Sequence, residues 1–181
     1  MGTKEAELGA KNSKMEAKEV KRGAKLARRW HTENDGTRGD KVFITRAELR
    51  DIIADKLDGK LSDKFSFRIA DSEFYCTPLD DAREILEQST VDRRQWSPET
   101  FDCDDFAHVL KAHFAEASYK DGERRPPHCF GIVWGMLSSP FFTHAMNWMI
   151  DENREFWFIE PQSDEIFKPR ETDRNIYFML I

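Results

Sequence analysis

Large apolar side chains are spread unevenly along this 181-residue chain. All 14 phenylalanines lie at residue 43 or later, and the first 41 residues are polar and charged. A core forms only where there is apolar surface to bury. The pattern therefore predicts one domain over residues 62–181, a short linking helix over 42–61, and a basic arm over 1–41. The arm is read as disordered or as a fraying helix.

Charge follows the same division. Residues 1–29 hold nine Lys/Arg and four Glu, a net of +5, while the whole chain carries −6. A basic arm on an acidic body can touch nucleic acid or anionic lipid. The acidic body repels phosphate, which argues against nucleic acid as the main partner. Arg38-Gly39-Asp40 reads as turn or linker. Cys76, Cys103 and Cys129 are an odd count with no CxxC, so neither a zinc ribbon nor a disulfide framework is indicated. Free thiols, the lack of an apolar leader and the lack of a run of about 18 apolar residues lead to the expectation of a soluble cytoplasmic protein.

Local patterns define the elements. Thr45 and Glu48 have capping-box spacing, and Leu49, Ile52, Ile53 and Leu57 line one helical face. Phe65 and Phe67 alternate with polar residues, as in a strand. Thr77-Pro78 has the form of N-cap and first helical residue. Ser97-Pro98 is read as the start of another helical turn. Cys103, Phe106, Ala107, Leu110 and Phe114 recur at helical spacing, with Asp102 as N-cap. Strands follow over 129–136, 144–150, 155–159, 165–168 and 176–181. Helices followed by antiparallel strands make an α+β fold.

Cys103 falls at a helix start, where free N–H groups and the helix dipole stabilise a thiolate. His144 opens one strand and Glu160 closes the next, so a hairpin brings them to one sheet edge. The carboxylate then orients the imidazole toward the thiol. Cysteine on a helix, with histidine and acid on strands, is the papain-type layout. Gln95 is the candidate oxyanion donor, or a surface glutamine. Trp148 is a candidate shield beside the substrate, or a core residue.

The segments FDCDDFAHVLKAHF (101–114), THAMNWMID (143–151) and FIEPQ (158–162) carry these residues. They resemble the C-terminal papain-like domain of the Marasmius-type fungal agglutinins and related bacterial proteins. The resemblance implies a papain-like cysteine hydrolase fold and protease activity on peptide or isopeptide bonds. Cys103 would be nucleophile, His144 base and Glu160 orienting acid. It also associates activity with calcium, for which Asp104 and Asp105 are candidate ligands. Helix capping by Asp105 and a solvated Asp104 are the competing assignment. The agglutinins carry a sugar-binding β-trefoil before this domain. No trefoil repeat is visible here, so sugar binding is not carried over.

Three rivals stand beside the protease expectation. The same triad serves transglutaminase- or amidase-type acyl transfer. A papain-like scaffold can also hold a peptide or partner without turnover. Or the basic arm has the main role, as a tether to nucleic acid or membrane.

Overall fold

The computed structural model describes residues 41–120, 126–138 and 141–181, so expectations for the arm lie outside the described residues. The described residues belong to one compact unit, Lys41–Ile181. Its elements are β1 (Phe43–Thr45), α1 (Arg46–Lys56), β2 (Leu61–Arg68), β3 (Glu73–Tyr75), α2 (Leu79–Gln88) and α3 (Cys103–Lys120). Then come β4 (Phe130–Met136), β5 (His144–Ile150), β6 (Phe156–Glu160), β7 (Glu165–Phe167) and β8 (Arg174–Leu180).

The capping box at Thr45 starts α1. Glu48 N–H donates to Thr45 Oγ1 at 3.3 Å, and Thr45 N–H donates to Glu48 Oε2 at 2.8 Å. Leu49 and Ile53 bury the inner face. The next helix starts one residue later than its sequence suggests. Pro78 is its N-cap, with no side-chain cap bond. The Thr77 hydroxyl instead lies 2.7 Å from His128 Nδ1, so a tertiary partner takes the group that local pattern assigns to the cap. Ser97-Pro98 opens no helical turn. Ser97 and Phe101 bond each other's backbone at 2.9 Å in both directions and close a tight loop.

One sheet dominates, in the order β2-β8-β4-β5-β6-β7. The expectation of helices followed by an antiparallel sheet, in a papain-like α+β arrangement, is corrected here. Strands β1 to β3 interleave with the helices. β2 pairs in parallel with the C-terminal β8, which makes the six-stranded sheet mixed. A separate antiparallel pair joins β1 and β3. The order of elements along a chain does not dictate where an early strand docks, because a parallel partner requires a long crossover and a free sheet edge.

Alternation along the strands divides the core in two. Met146, Trp148, Ile150, Phe156 and Phe158 join Leu49, Ile53 and Leu57 of the α1 region. Met149, Ile159 and Phe130 join α2 and α3 through Ile85, Leu86, Phe106, Leu110 and Phe114. The β5–β6 turn is locked by Asp151. Its Oδ1 accepts from Asn153 N–H (2.8 Å) and Glu155 N–H (2.9 Å), and its Oδ2 from the Trp157 indole (2.7 Å).

Candidate functional site

The loop closed by Ser97 and Phe101 delivers the chain to α3, and the Phe101 ring meets Phe106 edge-on at 4.6 Å. Cys103 is the first residue of that helix and is partly exposed. Asp105 accepts from the backbone N–H of Asp102 at 3.2 Å, so its carboxylate serves the helix start. Asp102 and Asp104 meet through their side chains. The hydrogen bond between them raises Asp104, which burial and the Asp102 charge raise further. The same hydrogen bond lowers Asp102. The Asp102 and Asp104 carboxylates and the Cys103 sulfur lie within 4.8 Å of one another.

His144 comes from the first position of β5 and Glu160 from the last of β6. Asn147 pairs with Ile159; extended by one step, this register sets Glu160 opposite Met146 and diagonal to His144. Diagonal neighbours on one face lie within reach of long side chains. His144 Nε2 and Glu160 Oε2 are 2.6 Å apart, and the two side chains are 21% and 19% exposed. Gln162 N–H donates to the other Glu160 oxygen at 3.2 Å. Cys103 comes close enough to the same imidazole to favour its charged form. With Nε2 engaged by the carboxylate, Nδ1 is the atom left for sulfur. Burial works against charge on this ring, and Cys103 and Glu160 overcome it and raise its pKa to about 9. The charged form of the ring is therefore favoured at neutral pH, between the Glu160 carboxylate and the Cys103 sulfur.

The fold thus brings Cys103, His144 and Glu160 together in one partly open notch, with Asp102 and Asp104 on its rim. Two further sequence candidates take different environments. Trp148 is fully buried, donates to Ile132 C=O at 3.1 Å and stacks on Phe156. It is core and has no surface to offer a ligand. Gln95 is exposed in the stretch after the 3₁₀ turn Val91–Arg93. Sequence reasoning missed Tyr177. Burial raises its phenol, and the charges of Cys103 and Asp104 add to this, so the ring lies within their electrostatic reach. Its only signal in sequence is an outward position next to the inward Ile176.

Comparison with known proteins gives this geometry a family. Residues 74–166 match the family model described as Agglutinin C-terminal, a span that contains Asp102, Cys103, Asp104, His144 and Glu160. The chain belongs to the agglutinin C-terminal family. Among solved structures, a complex of PSL1a with E64 matches this domain with a TM-score of 0.68 and 25% identity, covering 77% of this chain and 50% of that one. A lectin from Polyporus squamosus, bound to the human-type influenza-binding epitope Neu5Aca2-6Galb1-4GlcNAc, matches with a TM-score of 0.64 and 23% identity. It covers 77% of this chain and 49% of that one. The chain spans about half the length of the solved structures it matches. No curated protein matches it.

These findings overturn two expectations. The fold is the one shared with agglutinin and lectin structures, and the assignment as a papain-like cysteine hydrolase gives way to it. The reading as a thiol protease cutting peptide or isopeptide bonds is overturned by the same match to an agglutinin family. Residue types, their order and a family resemblance all point to that chemistry, yet a fold hosts unrelated functions on similar constellations. Among the described residues, no helix is long and apolar enough to cross a membrane.

Proposed function

We propose that this agglutinin C-terminal domain is a binding module whose notch at Cys103, His144 and Glu160 seats a partner without turning it over. The observation that carries the proposal is the family match, which spans all three residues in a family of agglutinins. The chemistry of the notch suits recognition. An imidazolium fixed by Glu160 attracts a carbonyl or carboxylate oxygen, and the Asp102–Asp104 rim accepts from ligand N–H or O–H groups. Tyr177 adds an amphipathic aromatic surface, 38% exposed, within the electrostatic reach of Cys103 and Asp104.

Calcium belongs to this proposal as a ligand of the rim. Asp102 and Asp104 would hold it, because two adjacent carboxylates are hard oxygen donors and a cation relieves their mutual repulsion. The Cys103 sulfur is a soft donor that suits calcium poorly. Asp105 is already committed to the helix start. Bound calcium would supply a fixed positive charge at the rim and lock the two carboxylates in place.

The test is calorimetric and NMR titration of the full chain with E64, with the trisaccharide Neu5Aca2-6Galb1-4GlcNAc and with a peptide library, each with and without calcium. Saturable binding that moves the His144 and Tyr177 signals is expected, with the ligand recovered unchanged by mass spectrometry. Absence of saturable binding refutes the proposal. So does a ligand recovered cleaved or left covalently attached to Cys103.

A further inference from the structure

Asn147 is fully buried on β5, three residues after His144. Its Nδ2 donates to Ala107 C=O at 3.0 Å and to Gly131 C=O at 3.1 Å. One acceptor lies on α3, one helical turn beyond Cys103, and the other on β4. A single amide therefore braces the helix that carries the thiol against the strand that carries the imidazole. The orientation of the amide is settled by its partners, since the flipped form would set Oδ1 against two carbonyl oxygens. In the orientation found, Oδ1 is buried and has no partner among the described residues.

That orphan oxygen is informative. Buried polar atoms without partners are rare, and each needs a reason. A leucine of similar volume would fill the site with no desolvated oxygen. Places where a chain breaks a local rule tend to be places where function imposes one. The brace also acts where the notch needs it. The His144–Glu160 bond is made within the sheet, between β5 and β6, and depends only on strand register. Cys103 stands on the helix and His144 on the sheet, so their separation depends on the spacing between those two layers.

We infer that Asn147 is the positioning residue of the notch: by tying Ala107 to β5 and β4 it sets the separation of Cys103 from His144. The inference rests on the reading of that notch as the functional site. Its readouts are the side chains themselves, so its failure is separate from a failure to bind ligand. Lys111 provides the control. Its Nζ donates to Phe130 C=O at 3.2 Å, a second bond between α3 and β4, two turns from Cys103.

The experiment compares wild type, Asn147→Leu and Lys111→Met by histidine NMR titration and by the rate of iodoacetamide labelling of Cys103, with circular dichroism to establish folding. In Asn147→Leu the His144 midpoint should fall from about 9, since the approach of Cys103 loosens while the Glu160 bond remains. The labelling rate at neutral pH should change by about tenfold, the factor that accompanies one pKa unit. Lys111→Met should leave both near wild type. If the leucine variant does not fold, Asn147→Ser, too short to reach both carbonyls, takes its place. A folded variant at Asn147 with unchanged His144 and Cys103 overturns the inference. Equal shifts in Lys111→Met overturn it too, because they would reveal a merely structural brace.

Discussion

Replacing Glu160 by glutamine should carry the His144 ring from about 9 down to about 7.5 or below. The rise from 6.5 to about 9 is a net effect. Burial lowers the ring, and Cys103 and Glu160 raise it. Removing one of two comparable partners therefore removes more than half of the net rise. At about 1.4 kcal/mol per pKa unit, the carboxylate favours the imidazolium by about 2 kcal/mol. Both side chains are about one-fifth exposed, so solvent screening weakens this less than it would a surface pair. The raised pKa also sets the sign of the pH dependence. Stability gained from the charged ring is fully present below about 6.5 and is lost as pH rises through about 9. The gap in unfolding midpoint between wild type and Glu160→Gln should thus be full at pH 6 and shrink toward pH 10. Side-chain histidine NMR from pH 5 to 10, paired with thermal unfolding, measures both. A variant ring that still titrates near 9 would refute the reasoning, as would a wild-type ring near 6.5.

Two further outcomes follow from packing and burial. Alanine at Gly131 would place a Cβ 2.2 Å from Leu180 O and 2.5 Å from the Trp148 ring, in a core without room to yield. Gly131→Ala should lower stability by about 3 kcal/mol or more, and an unchanged urea midpoint would contradict the close approach of these three residues. Asp164 is raised to about 6, first by burial and then by Asp92. An acid raised on folding weakens the folded state as pH climbs from about 3.8 through 6, and costs nothing below that window. Asp164→Asn should therefore stabilise the protein at pH 7.5 and match wild type below pH 4; equal denaturation curves at both pH values would rule this out.

Much of the site was legible from local rules. The Thr45–Glu48 capping box needs contacts over only three residues, and its two hydrogen bonds form as the pattern requires. The spacing of Cys103, Phe106, Leu110 and Phe114 defines α3 by itself. The hairpin that joins His144 to Glu160 spans 16 residues and is closed by Asp151 within its own turn. Other features were not legible, because their partners are remote in sequence. Thr77 left its cap for His128, 51 residues away. The outward position of Tyr177 beside Ile176 does not signal that the charge of Cys103 reaches it. Trp148 shares an alternation with His144, yet neighbours on other strands decide that it is sealed in the core.

Function divides along a similar line. Residue types and chain order lead to a thiol, an imidazole and a carboxylate in one notch, but the same three groups serve a catalyst or a binding site. The match to the agglutinin family favours the second of these, and the ligand titration tests it.

What the amino-acid order determined alone was local: the capped α1, the periodic α3, and the hairpin that carries His144 and Glu160. Each depends on contacts within a few residues or one turn, where hydrogen bonding and hydrophobic spacing suffice. Only the tertiary structure decided the parallel docking of β2 on β8, the burial of Trp148, the entry of Tyr177 and the brace at Asn147. Those depend on which apolar faces meet across the whole chain, and that choice is made collectively by a core that no single segment encodes.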